Sequence, residues 1–445
     1  MGFFNFKYLN KSTVEINQLY EIYLRYPVIS TDSRCVTKNS IFFALKGKNF
    51  DGNRYAGKAL KNGAAFAVID KPQDNADSRF ILVENSLVTL QSLANYHRKK
   101  CDTRILAITG SNGKTTTKEL INKILSEKYK VYSTQGNLNN HIGVPLTLLS
   151  MSPDNQFGVI EMGANHKGEI RLLCKITEPD FGLITNVGKA HLEGFGSLED
   201  IAKAKAELFD YLKKNNGTIF GNTDDSFVYS VIPENYNKTV LFGDKGGICR
   251  GKYISSDPFL KLLLFVNDDQ RGVKINTNLV GSYNLENVVA AATFAYFLNV
   301  GRKTIKRAIE NYFPEQNRSQ LLKTRNNIIY LDAYNANPTS MRAALDNFIE
   351  LNLKNKYFIL GEMLEVGSAT TREHESLLSY LKGKEIKNIL CVGKAFYEHA
   401  NKFGYKYFNN VDELVRILES NKIRKANIFI KGSRANQLER LIPFL

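Results

Sequence analysis

The stretch Thr109-Gly110-Ser111-Asn112-Gly113-Lys114-Thr115-Thr116 restricts what this chain can fold into more than any other part of it. It follows the apolar run Ile105 to Ile108 and opens a segment in which Leu120, Ile121, Ile124 and Leu125 recur at helical spacing. The pattern predicts strand, glycine turn and helix. A glycine turn feeding a helix N-terminus leaves backbone N–H groups pointing outward without intrahelical partners, beside the positive end of the helix dipole. Such a turn cradles anions. Lys114 adds a point charge for outer phosphates and the Thr115 hydroxyl is a ligand for Mg²⁺, which together suit a nucleoside triphosphate. The full P-loop pattern has a further glycine where this chain has Ile108, so this is the shorter GxxGKT form, and a bare glycine turn is the competing reading.

A chain of 445 residues is too long for one ordinary core and predicts two to three domains. Its 43% apolar and 23% charged content is that of a globular protein. The five cysteines, Cys35, Cys101, Cys174, Cys249 and Cys391, are widely spaced and form no CxxC pair, as expected of reduced thiols in a cytoplasmic protein. No apolar run approaches the ~18 residues that span a membrane, and the segment Met1 to Lys7 lacks the apolar stretch of a signal peptide. Membrane insertion is not expected. The net charge of +16 favours anionic partners, but basic runs such as Arg98-Lys99-Lys100 are short, and neither aromatic-basic clusters nor zinc-finger spacings point to nucleic acid.

The fold class expected is α/β in three domains: a small N-terminal α/β domain over 1–102, a central P-loop parallel-sheet domain over 103–313, and a Rossmann-like doubly wound domain over 314–445. In the first, Ser40 to Leu45, Ala65 to Ile69 and Phe80 to Val83 read as strands, with a short helix at Tyr55 to Lys61. Two polar turns stand out there, one with Ser30, Asp32, Ser33 and Arg34, the other with Lys46, and both are also ordinary turn chemistry. In the second, the strand Phe157 to Ile160 runs into Glu161, and Phe181 to Ile184 runs through Thr185 and Asn186 toward His191. Ligands of parallel sheets bind beyond the carboxyl ends of strands, so Glu161 and His191 are candidates to meet whatever the loop holds. Lys205 lies on the apolar stripe of a helix with Ile201, Leu208 and Leu212, a costly place for a bare ammonium unless its stem reaches water. Asn284 and Asn287 precede an alanine-rich helix read over Val288 to Phe297; three apart, they share a face and are matched to an amide-like edge such as adenine, or equally to a cap. Phe313 to Arg318 marks the break into the third domain, where Asp332 ends a strand and is placed for ribose hydroxyls, and Asn337-Pro338 reads as an N-cap.

Taken together, Thr109 to Thr116, Asn137-Leu138-Asn139-Asn140, Glu161-Met162-Gly163, Asn186 to His191, Lys205 to Phe209, Asn222 to Asp225, Asn284 with Asn287, and Asp332 to Pro338 resemble the Mur ligase superfamily in order and spacing. The N-terminal Ser30 to Arg34 turn, Ala44 to Gly47, Leu360 to Glu365 and Lys431 to Arg434 are similar to the members that join D-alanyl-D-alanine to UDP-N-acetylmuramoyl-tripeptide. Glu362 stands where an Asp is common, and the Asn-Pro-Arg signature of tripeptide-forming relatives is absent. The resemblance implies a cytoplasmic ATP-dependent ligase of peptidoglycan precursors, working through an acyl phosphate and as a monomer. It implies ATP held by Thr109 to Thr116 with Asn284, Asn287, Arg318 and Asp332, and two Mg²⁺ sites from Thr115, Glu161, His191 and a carbamylated Lys205. Lys114, Lys205, His191 and Glu161 would carry the chemistry. Ser30, Asp32, Ser33, Arg34, Lys46, Asn137, Asn139, Asn140, Asn335 and Asn337 would hold the two organic substrates. A folate-glutamate ligase or a single-amino-acid-adding ligase of the same superfamily, and a P-loop protein that is no ligase, are the alternatives.

Overall fold

The computed structural model describes residues 14–73, 77–190, 192–267, 269 and 271–445. Each of the three segments expected from the sequence carries its own sheet. In the first, Ile29–Ser30, Ile41–Phe43, Phe66–Ile69 and Phe80–Leu82 lie side by side, all parallel. The core on this sheet is Phe42, Ala44, Ala67 and Ile69 under Ala56, Ala59 and Leu60 of the helix Ala56–Lys61. Small alanines let that helix lie close.

The middle segment forms nine strands in the order Val273–Val280, Phe259–Val266, Cys249–Ser256, Thr239–Phe242, Thr218–Asn222, Phe181–Ile184, Arg104–Thr109, Phe157–Glu161 and Val131–Ser133. It is not parallel throughout. Cys249–Ser256, Phe259–Val266 and Val273–Val280 form an antiparallel meander, in which Leu260, Leu262, Leu264 and Val266 are buried at alternate positions. That alternation is the mark of a sheet covered on one face.

The third sheet has the order Gln320–Lys323, Ile328–Asp332, Asn427–Lys431, Lys356–Gly361, Ile389–Val392 and Lys406–Phe408, parallel except for its first strand. Successive side chains of a strand point to opposite faces. Thus Tyr330, Phe358 and Phe429 join one core around Phe348, while Ile329, Ile359, Ile428 and Ile430 join another around Leu414 and Leu418. Two cores mean helices on both faces, the doubly wound arrangement. Truncating Phe348, which packs its ring against those of Tyr330, Phe358 and Phe429, is expected to cost about 3–5 kcal/mol.

By packing, the chain forms two compact units: one holds described residues up to Ala107, Tyr129–Ala164 and Gly168–Phe181; the other holds Ile108–Lys128, Asn165–Lys167 and Gly182–Leu445. Within the first, the helix Ser86–Lys100, capped by Asn85, ties the N-terminal segment to the residues around Met151. Buried His97 faces the Met151 carbonyl with Nε2 at 3.0 Å and the Tyr20 hydroxyl with Nδ1 at 3.1 Å. A carbonyl only accepts, so Nε2 carries the proton and Nδ1 accepts from Tyr20.

Candidate functional site

The strand Arg104–Thr109 and the helix Lys114–Leu125 flank the glycine turn as its sequence predicts. Gly110 and Gly113 have φ of +147° and +78°, where a Cβ is strained. Space forbids one as well: a Cβ at Gly110 would lie 1.9 Å from Thr185 Oγ1, and at Gly113 2.2 Å from Asn287 Oδ1. Gly113 is the N-cap and offers no side-chain acceptor to the first turn, and the first turn of a helix is where backbone N–H groups and the helix dipole favour an anion. Lys114 Nζ donates to the carbonyls of Gly110 at 2.7 Å and Ser111 at 3.2 Å.

Residues far along the chain hold the turn in shape. Ser111 N–H donates to the Asn186 carbonyl and Asn112 N–H to Asn186 Oδ1, both at 2.9 Å. The Asn112 carbonyl accepts from Thr185 Oγ1 at 2.6 Å and Asn186 Nδ2 at 3.1 Å. Ser111 Oγ donates to the Gly188 carbonyl and accepts from its N–H. Asp225 accepts from Val187 N–H with one oxygen and caps Val228 with the other. The sequence reading assigns no site role to Thr185, Gly188 or Asp225; the polar cluster at the end of the strand Phe181–Ile184 is the signal that points to them.

Lys205 is 2% exposed. Burial, and then the positive charge of Lys114, hold its ammonium well below the ordinary lysine range. The stripe reading of the helix Leu198–Lys214 therefore holds, since Ile201, Leu208 and Leu212 are buried with it. Glu161 is 3% exposed, and Asn139 Nδ2 donates to its Oε1 at 2.8 Å. His191 lies outside the described residues. Among the described residues no three or more His, Cys, Asp or Glu side chains form a metal cluster. Mg²⁺ bound through phosphates and waters asks for only one or two protein oxygens, so the residues present fit it.

The four residues expected around the nucleoside are largely engaged within the protein. Asn287 Nδ2 donates to Asn284 Oδ1 at 3.0 Å, Asn284 Nδ2 donates to the Val280 carbonyl and to Ser319 Oγ, and Thr117 Oγ1 donates to Asn287 Oδ1. The pair thus ties the helix Asn284–Phe297 to the loop helix, and offers no open amide edge to a base. Helix formation begins at Asn284 itself, one turn before the expected start. Next to the pair on this turn, Glu286 accepts from Asn222 Nδ2 at 3.1 Å. Burial first, then Asp225 and Asp224, push its carboxyl up to about 7 against that bond. Asp332 is ion-paired with buried Lys431, so its carboxylate already has a strong partner. The Arg318 guanidinium lies 3.6 Å from the centre of the Tyr334 ring, and its Nε is buried without a hydrogen bond, as is Thr109 Oγ1. Such orphaned atoms in a native fold mark places that a ligand or water completes.

The expected substrate residues divide the same way. Arg34 grips the Asp32 carboxylate with Nε and a terminal nitrogen at 2.9 and 2.7 Å, and that hydrogen bond draws the Asp32 carboxyl down to about 2. Ser30 Oγ donates to the Asp32 carbonyl, the Ser33 carbonyl accepts from Asn62, and Lys46 pairs with Asp70 at 2.9 Å. Asn140 Oδ1 accepts from Ile142 and Gly143 N–H, which makes it the entry to the helix Gly143–Leu149, while the Asn137 carbonyl accepts from Asn139 N–H. Asn335 Oδ1 accepts from Ala336 N–H. Asn337 caps the helix Pro338–Glu350 and also reaches Asn112 Oδ1 at 2.7 Å.

Three family descriptions match the chain: "Mur ligase family, catalytic domain" over residues 25–98, "Mur ligase middle domain" over 108–295, and "Mur ligase, glutamate ligase domain" over 317–434. The UDP-N-acetylmuramoyl-tripeptide--D-alanyl-D-alanine ligase of Bacillus subtilis is 31% identical, covering 94% of this chain and 92% of that one; its Escherichia coli counterpart is 30% identical, covering 94% and 93%. Among solved structures, MurF from Acinetobacter baumannii is similar with a TM-score of 0.83 at 30% identity, covering 93% and 92%. MurF from Thermotoga maritima in complex with ADP has a TM-score of 0.81 at 27% identity, covering 95% and 97%. A folylpolyglutamate synthase from Mycobacterium tuberculosis, 12% identical with a TM-score of 0.60, shares the fold alone.

Proposed function

This chain belongs to the Mur ligase family, and from that premise we propose that it is the ligase that joins D-alanyl-D-alanine to UDP-N-acetylmuramoyl-tripeptide with cleavage of ATP to ADP and phosphate, in peptidoglycan precursor synthesis. The observation that carries the reading is the glycine turn at Gly110 to Thr115, fixed from Thr185, Asn186 and Gly188, in a chain similar to such ligases over nearly its whole length. No helix among the described residues is long and apolar enough to cross a membrane.

A carboxylate is a poor electrophile, so the tripeptide terminus takes the γ-phosphoryl group of ATP, and the dipeptide amine then displaces phosphate from the acyl phosphate. Such phosphoryl transfer asks a protein mainly for positioning and for neutralisation of charge. Lys114 supplies a mobile cation: its Nζ rests on two loop carbonyls, contacts that it exchanges for phosphate oxygens. The loop N–H groups bind the remaining phosphate charge. Thr115, Glu161, His191 and Lys205 are the proposed ligands for Mg²⁺, with Asn139 orienting Glu161. When bound, Mg²⁺ neutralises charge at the phosphate oxygens. Lys205 is proposed to be carbamylated. Burial favours its neutral amine, the form that attacks CO₂; the N–C bond forms, one C–O π bond of CO₂ opens, a proton leaves the nitrogen, and the neutral amine becomes an anionic carbamate with two hard oxygens. Ser30 to Arg34 and Lys46 are the proposed contacts to the uridine end of the substrate.

Phosphate release from ATP, UDP-N-acetylmuramoyl-tripeptide and D-alanyl-D-alanine, with each left out in turn, tests the function. Release is expected only with all three present. Release that ignores the dipeptide would make the protein an ATPase, and release with folate and glutamate instead would make it the other kind of ligase.

A further inference from the structure

An N-cap needs one acceptor. Asn337 provides it with Oδ1, which takes Ser340 N–H at 2.9 Å, while Ser340 Oγ accepts from Asn337 N–H at 3.2 Å to complete a capping box. The amide nitrogen of Asn337 is not needed for this, and Ser or Asp caps a helix as well as Asn does. That nitrogen donates instead to Asn112 Oδ1 at 2.7 Å, across 225 residues of sequence.

Asn112 sits in the middle of the phosphate loop. Its N–H and carbonyl are already fixed by Asn186 and Thr185, so the bond from Asn337 fixes its side-chain acceptor and with it the way the Asn112 amide faces. The contact is not isolated. Lys189 N–H donates to Thr339 Oγ1 at 2.9 Å, and Lys189 Nζ pairs with Glu373 at 2.9 Å. A Cβ at Gly188 would come within 3.0 Å of Thr339. The loop that holds the nucleotide turn on one side is thereby packed on the helix that Asn337 caps.

We infer that Asn337 is a positioning residue for the nucleotide: its amide group, as distinct from its capping oxygen, holds Asn112 and so keeps the phosphate loop in its binding geometry. The third segment of the chain then sets nucleotide affinity without touching the phosphates. This rests on the ligase reading only for the nucleotide being ATP.

The test separates the two ends of one side chain. Asn337→Ser keeps a cap and removes the donor; Asn337→Asp keeps a cap and sets a carboxylate against Asn112 Oδ1; Asn337→Ala removes both. Binding of a non-hydrolysable ATP analogue by calorimetry is expected to weaken about fivefold in the Ser variant, the contribution of one ordinary hydrogen bond, and further in the Asp variant. Thermal stability is expected to fall only in the Ala variant. If Ser and Asp bind the analogue as the wild type does while Ala alone is unstable, Asn337 is a cap and nothing more, and the inference is overturned. Wild-type protein that does not bind the analogue overturns the ligase reading, and the inference with it.

Discussion

The phosphate loop and the N-terminal turn Ser30 to Arg34 are both short, polar and glycine- or serine-rich, yet they are held in opposite ways. Ser111 Oγ and the N–H, carbonyl and side-chain oxygen of Asn112 are each met by a residue more than seventy positions away: Gly188, Asn186, Thr185 and Asn337 in turn. The bonds of Asp32 run to Ser30, Arg34 and Cys35, no more than three positions off, the Arg34 side chain is 81% exposed, and a single amide, Asn62, reaches the Ser33 carbonyl from 29 positions on. A loop fixed from many directions is preorganised before its ligand arrives, which is what stabilisation of a developing charge requires. A turn bonded mostly to its own neighbours, with its arginine in solvent, can rearrange at little cost, as its proposed role of recognising one end of a large substrate would require.

The difference predicts a ladder of effects. Lys114→Ala removes a charge from the preorganised loop, and phosphate release should fall by about a hundredfold to a thousandfold with the fold intact; near-wild-type turnover would remove the loop from the chemistry. Lys205→Ala should be nearly as inactive, but formate or acetate should restore part of the rate. A resonance from isotopically labelled CO₂, seen by NMR in the wild type, should vanish in the variant. Rescue by an added amine alone would mean that the site requires a cation.

A smaller effect is expected at Glu286, whose carboxyl is raised from an ordinary 4.5 to about 7. A folded state that holds the proton more tightly than the unfolded chain loses stability as pH rises between these values. Melting temperature should therefore decline across that window, and Glu286→Gln should flatten the decline; an unchanged profile in the variant would place the titration elsewhere. Smallest of all, Arg34→Ala should leave melting unchanged, since exposed ion pairs contribute little, while weakening binding of the uridine substrate. Loss of stability in that variant would erase the contrast between turn and loop.

Legibility in the sequence follows the same division. The strand, glycine turn and helix at Arg104 to Leu125 are readable because all their determinants are local. Lys205 is readable because a charge on an apolar stripe violates periodicity, and Asn337-Pro338 because a cap is a matter of adjacent residues. What Thr185, Asn186 and Gly188 do to the loop depends on which strands become neighbours, and periodicity does not carry that information. Asn284 and Asn287 show the converse: their spacing places them on one face, as expected, but the same spacing lets them bond to each other, and burial turns the pair inward. The meander from Cys249 to Val280 leaves a trace in the alternation from Leu260 to Val266, yet an antiparallel end on a mostly parallel sheet is not implied by the strands before it.

If ATP activates the tripeptide carboxylate, the fate of one oxygen atom records it. With that carboxylate labelled with heavy oxygen, formation of the acyl phosphate joins a labelled oxygen to phosphorus, and attack by the dipeptide amine breaks the carbon–oxygen bond. Phosphate released in the presence of all three substrates is predicted to carry one labelled oxygen per amide formed. Phosphate whose new oxygen comes from water instead would mean that ATP is hydrolysed directly, and would contradict the ligase assignment.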